Sequence, residues 1–178
     1  MKENSSDLQY VTNALKKAES QNAGSPAIWC LWGIIVLVGY AVVEFVVQYS
    51  MIYWIAASVA GGLASWWLGE RFERQHGQID IELGKQFAGH FFIQLVFIFT
   101  AVFTGKYMEI LLLFGLGYAL AGIYLDKLFL PIAALSWLLY LGAHAGLVSS
   151  WFIIGIVLSA GLFAMGWITH RKNSRSSS

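Results

Sequence analysis

Six apolar runs of about twenty residues each, separated mostly by short polar breaks, occupy nearly everything after Pro26. At about 1.5 Å of rise per helical residue, a run of that length matches the roughly 30 Å hydrocarbon thickness of a bilayer. The expected fold is therefore an all-α membrane protein, a six-transmembrane-helix bundle of antiparallel hairpins. The spans are expected at about 27–47, 51–69, 87–104, 108–125, 128–148 and 151–169. Together, residues 26–170 would form the membrane domain. Residues 1–25 would form a cytoplasmic N-terminal segment, and 171–178 a disordered, basic and Ser-rich cytoplasmic tail.

Composition supports the same solvent. The chain is 58% hydrophobic and 12% charged, whereas about a quarter of residues are charged in an ordinary soluble domain. A net charge of +1, spread along the chain, gives no footprint for nucleic acid. Cys30 is the single cysteine, which excludes an intrachain disulfide and a thiolate metal cluster. The polar residues 1–25 precede a first run too long for a signal h-region, so that run reads as a membrane helix and not as a cleavable signal peptide.

Helix ends and faces can be read next. Ser6-Asp7-Leu8-Gln9 has the form of a capping box, and Leu8, Val11, Leu15 and Ala18 follow at helical spacing. A short amphipathic cytoplasmic helix is expected there, lying in solvent or among headgroups. Ser25 and Pro26 suit the N-cap and first position of the first span. Lys2, Lys16, Lys17, Arg71, Arg74, Lys85, Lys127, Arg171, Lys172 and Arg175 fall on one side of the expected topology, and Lys106 alone on the other. That asymmetry places both termini in the cytoplasm of a multi-pass protein of the plasma or inner membrane.

Small residues mark close approach between helices. Ala57, Gly61, Ser65 and Gly69 form one face of the second span. Gly115 with Ala119 and Gly117 with Ala121 do so in the fourth, and Gly155 with Ser159 and Ala160 with Ala164 in the sixth. The even-numbered spans are accordingly expected to be the buried ones. Trp54, Trp66 and Trp67 suit interfacial anchoring.

Few polar residues lie inside the spans, and they concentrate toward the outer end. Tyr40, Glu44 and Gln48 recur every fourth residue in the first span, and Ser136, Tyr140 and His144 do the same in the fifth. Glu109 opens the fourth. A carboxylate in hydrocarbon costs on the order of 2.5–3.5 kcal/mol, so Glu44 should face the bundle interior and find a partner, for which His144 is the natural candidate. Glu44, Glu109 and His144 could share one depth, lined by Tyr40, Tyr140 and Gln48, and hold a divalent cation, a proton or the cationic end of a small ligand. The bland alternative leaves both carboxylates reaching headgroup water, with His144 a structural tie. Met108 and Met51 at the same boundary raise cuprous copper as a minor option beside that cluster.

Haem is disfavoured, because His90 and His144 lie at opposite ends of their spans and cannot share an iron. His90 with His170 or His76 is the remaining geometry, and pairing of His90 with Gln94 on one helix face is the simpler reading. Asp126 and Lys127 read as a local turn, with Pro131 tolerated early in the next helix. No Walker loop, dinucleotide fingerprint, H-E-x-x-H or G-x-S-x-G is present.

In size and span count the chain resembles the vitamin-binding subunits of energy-coupling transporters, a likeness of architecture that no motif carries to particular residues. The leading expectation is a non-enzymatic transporter or ligand-binding subunit with an outward-facing polar pocket, working with a partner protein or as a homo-oligomer in the lipid bilayer. The runner-up is a regulatory or interaction protein acting through its N-terminal helix and the 70–86 loop. A third reading is an intramembrane metal-dependent enzyme using the same cluster.

Overall fold

The computed structural model describes residues 25–76, 92, 96, 99–100, 103–104, 107–124 and 127–176. Five α-helices account for most of them: α1 Pro26–Phe45, α2 Ser50–His76, α3 Tyr107–Tyr124, α4 Leu130–His144 and α5 Trp151–Ser176. Short 3-10 turns, Val47–Tyr49 and Lys127–Phe129, lead into α2 and α4. Four helical stretches, Pro26–Phe45, Val47–Phe72, Lys127–His144 and Trp151–Ser174, are long and apolar enough to cross a membrane. A shorter apolar helix covers Glu109–Ile123. The expected amphipathic N-terminal helix and most of the expected third span lie outside the described residues. Phe92, Val96, Phe99, Thr100 and Phe103 within that span are helical.

The packing is antiparallel wherever named contacts fix it. Along α1 and α2, Trp32 Nε1 donates to Ser65 Oγ at 3.0 Å, and Gly61 faces Ile35. Along α1 and α5, Phe45 meets Phe152 at one end, and Gly166 faces the Pro26 carbonyl at the other. Along α3 and α4, Gly115 faces Trp137 and Gly122 faces Leu130. Phe129 closes the Pro26 end by packing on both Trp29 and Tyr118.

Burial follows the even-numbered expectation at the sixth span, which is α5, and departs from it at the second, which is α2. The apolar windows of α5 and α1 are 44% and 39% buried, against 17% for α2. Among the described helices, α1 and α5 form the most extensive interface, because glycines on both let them approach. A Cβ on Gly155 would stand 2.7 Å from the Tyr40 Cβ, and one on Gly33 would stand 3.1 Å from the Phe163 ring. Sequence adjacency says nothing about this pairing, since the two helices are far apart in sequence. The small face of α2 does pack on α1 at Gly61 and Ser65, but Gly69 faces open space.

Several boundaries also shift. α4 stops at His144, short of the expected 148. Gly146 takes a left-handed φ of 72°, and the Leu147 and Gly146 amides donate back to the Gly142 and Ala143 carbonyls at 2.9 and 3.1 Å. That pair of bonds is a Schellman stop, in which glycine serves the position that side-chain-bearing residues avoid. Helix α2 continues past Gly69 to His76, helped by the Glu70–Arg74 ion pair one turn apart. Helix α5 continues to Ser176, so the stretch expected to be a disordered tail is helical as far as 176. Ser25 precedes α1 without a side-chain capping bond, although its carbonyl accepts from Ile28.

The exterior is strongly apolar. Ile34, Ile52, Leu63, Ile123, Leu138 and Leu141 are all exposed, while Ser50, Ser58, Ser136, Ser159 and Thr169 are buried. An apolar outside around small polar groups inside is the arrangement a lipid solvent favours.

Candidate functional site

The residues expected to form the polar pocket all come to the end of the bundle where α1 and α4 finish and α3 and α5 begin. Glu44 and His144 are both exposed, so the inward-facing Glu44–His144 pair expected from the sequence does not form, and each has another partner. Glu44 Oε2 accepts the Trp151 backbone N–H at 2.7 Å. The first amides of a helix have no carbonyl within the helix to bond, and they carry partial positive charge. Glu44 thus serves the start of α5 from across the α1–α5 interface, and Ser150 Oγ adds a longer bond of 3.4 Å from Ile153 N. His144 stacks on Tyr140 within its own helix, with ring centroids 5.8 Å apart. Gln48 is exposed in the 3-10 turn, and Glu109 is half-buried in the first turn of α3. The side chain of Met108 lies outside the described residues; Met51 packs at the edge of the core. Among the described residues, no three of His, Cys, Asp and Glu gather closely enough to hold a metal ion. His76 and His170 end or approach the ends of α2 and α5, and His90 lies outside the described residues.

Tyr40 is the member of this group that sits deepest. Its ring is fully buried, stacked on Trp151 at 6.1 Å and met edge-on by Trp54 at 5.8 Å. Offset stacks and edge contacts of this kind are the favoured aromatic geometries. Trp54 was expected at an interface. Instead it is fully buried and touches Tyr53 and Phe114 as well. The place is made for it by Gly39, where a Cβ would fall 2.5 Å from Trp54 Cζ2. Trp66 and Trp67, by contrast, are exposed, as anchors should be.

Four buried donors in this region lack an acceptor among the described residues. Tyr40 Oη, Trp54 Nε1 and Ser58 Oγ are buried with no hydrogen-bond partner among those residues. Trp54 and Ser58 stand one turn apart on α2, on the face that meets Tyr40. Ser159 Oγ, one turn along α5 from the Gly155 on which Tyr40 rests, is also unpartnered. A helical serine ordinarily bonds the carbonyl four residues back, as Ser136 does to Ile132 at 2.9 Å. Ser58 and Ser159 forgo that bond. A buried donor left unsatisfied costs about 1–3 kcal/mol, a cost that an ordered water or another acceptor would remove.

Sequence periodicity singles out Tyr40 but gives no reason to place Trp54 and Ser58 beside it, because Trp54 reads as an interfacial anchor. The glycine at 39, opposite a large aromatic, is the only hint that Trp54 turns inward. No family model, curated protein or solved structure matches the chain.

Proposed function

We propose that the protein is a small, non-enzymatic, multi-pass protein of the plasma or inner membrane, with both termini cytoplasmic, that binds or moves a small ligand. The ligand is one that accepts hydrogen bonds and lodges between α1, α2 and α5, beneath Glu44. Glu44, Gln48, Glu109, Tyr140 and His144 would line its route from the outer aqueous phase. The chain would act with a partner protein or as a homo-oligomer.

The observation carrying this reading is the trio Tyr40 Oη, Trp54 Nε1 and Ser58 Oγ, buried and without acceptors among the described residues. Replacing them with apolar atoms of similar shape would remove the desolvation cost entirely, so their presence favours a group that uses them. The positive-inside distribution of lysine and arginine supports the orientation.

Native mass spectrometry of the full chain in mild detergent tests the reading. Wild type should carry a bound small molecule that Tyr40→Phe and Ser58→Ala reduce, while helicity by circular dichroism stays unchanged. A bare chain in every case, or equal retention by all three proteins, overturns it.

A further inference from the structure

Two tryptophan–arginine pairs occupy matching positions on the opposite end of the bundle. On α2 the Arg71 guanidinium lies 5.3 Å over the Trp67 ring. On α5 the Arg171 guanidinium lies 4.8 Å over the Trp167 ring. In each case the arginine follows the tryptophan by one helical turn.

Packing sets the two pairs at the same level. Ser65, just before Trp67, is bonded by Trp32 of α1. Gly166, just before Trp167, faces the Pro26 carbonyl and Cys30 of α1. Both tryptophans therefore stand beside the first turns of α1, and both arginines lie beyond them, toward the end of the apolar region. Trp67 and Trp167 are each 57% exposed, so these rings look outward. Neither Arg71 nor Arg171 has a carboxylate partner among the described residues, and Glu70 is engaged by Arg74. An open groove of about 440 Å3 runs along Trp67, Glu70, Arg71 and Arg74.

A guanidinium held over an indole keeps its outward edge of N–H donors free, and that edge matches a phosphate. An indole beneath it suits the boundary between acyl chains and headgroups. The geometry points to the two Trp–Arg pairs as binding sites for the phosphate of an anionic phospholipid headgroup, with the acyl chains lying along the exposed apolar faces of α2 and α5. Two such sites at one depth fix the bundle's level in the leaflet on that side. Free phosphate lacks the acyl chains that the apolar faces would hold, so the lipid is the ligand. This inference rests on the membrane reading and is independent of any ligand at Tyr40.

The test uses the full chain reconstituted into nanodiscs of phosphatidylcholine containing a minor fraction of phosphatidylglycerol, followed by native mass spectrometry of the lipids retained. Wild type should retain phosphatidylglycerol in preference to phosphatidylcholine. Arg71→Gln and Arg171→Gln should each lower that preference about fivefold, and the double variant about twenty-five-fold. Inorganic phosphate at millimolar concentration should leave it unchanged. Equal retention of both lipids by wild type, a preference unaltered in the double variant, or displacement of the lipid by inorganic phosphate overturns the inference. A chain that fails to enter nanodiscs at all overturns the membrane reading and this inference with it.

Discussion

The carboxylate of Glu44 at the end of α1 accepts the backbone N–H of Trp151, the first residue of α5. An ionisable group in an apolar helix is thereby committed to the amide end of another helix. The pairing also fastens the two helices that share the largest interface among the described residues. Its energetic scale is that of a helix cap, which contributes about 1 kcal/mol, with an added charge–dipole component.

Glu44→Ala should therefore lower stability by about 1 kcal/mol. Glu44→Gln keeps an acceptor oxygen and should lose less. Thermal unfolding of the detergent-solubilised chain, followed by circular dichroism, measures both. Equal loss in the two variants would show that charge, and not the hydrogen bond, carries the effect.

The unpartnered Tyr40 hydroxyl gives a prediction of the opposite sign. In ligand-stripped protein, Tyr40→Phe should stabilise the fold by about 1 kcal/mol, because a buried donor without an acceptor is removed while the ring and its stack on Trp151 stay. In protein isolated with its ligand, the same substitution should destabilise. Unfolding curves taken before and after exhaustive delipidation separate the two states.

Close approach at glycine can be tested as a pair. A Cβ at Gly39 would overlap the fully buried Trp54 ring, whereas at Gly69 it would meet nothing within 4 Å. Gly39→Ala should cost about 1–3 kcal/mol through overpacking. Gly69→Ala should be neutral or stabilising by up to about 1 kcal/mol from helix propensity. The difference in melting temperature between the two variants is the measurement.

The stop of α4 depends on the left-handed backbone at Gly146. Gly146→Ala should cost about 1 kcal/mol. It should also speed hydrogen exchange at the Leu147 amide, whose bond to the Gly142 carbonyl closes the helix.

Length and hydropathy made the helices legible, and small-residue spacing made Gly61, Gly115 and Gly155 legible as contact points. The partners were not legible. A helical stripe reports which residues share a face, but not which neighbour covers it, so Glu44 was paired in expectation with His144 and is held in fact by a backbone amide. The same gap turned Trp54 from an expected anchor into the centre of the core. It also left the α1–α5 interface unseen, since these two helices are far apart in sequence. The stop at Gly146 was readable in principle, because a glycine three residues before the polar break is a C-terminal signal, but hydropathy alone carried the span through to Val148. The expected site residues lie at one end of the bundle, where α1 and α4 finish and α3 and α5 begin. The orphaned donors on α2 were not legible, since an unmade bond leaves no trace in sequence.

An experimental density map of the full chain in lipid nanodiscs, at a resolution that shows ordered water, tests the central claim most directly. Non-protein density larger than a single water, within hydrogen-bond distance of Tyr40 Oη, Trp54 Nε1 and Ser58 Oγ, is the predicted result. A single water, or apolar packing closed over all three atoms, would contradict it.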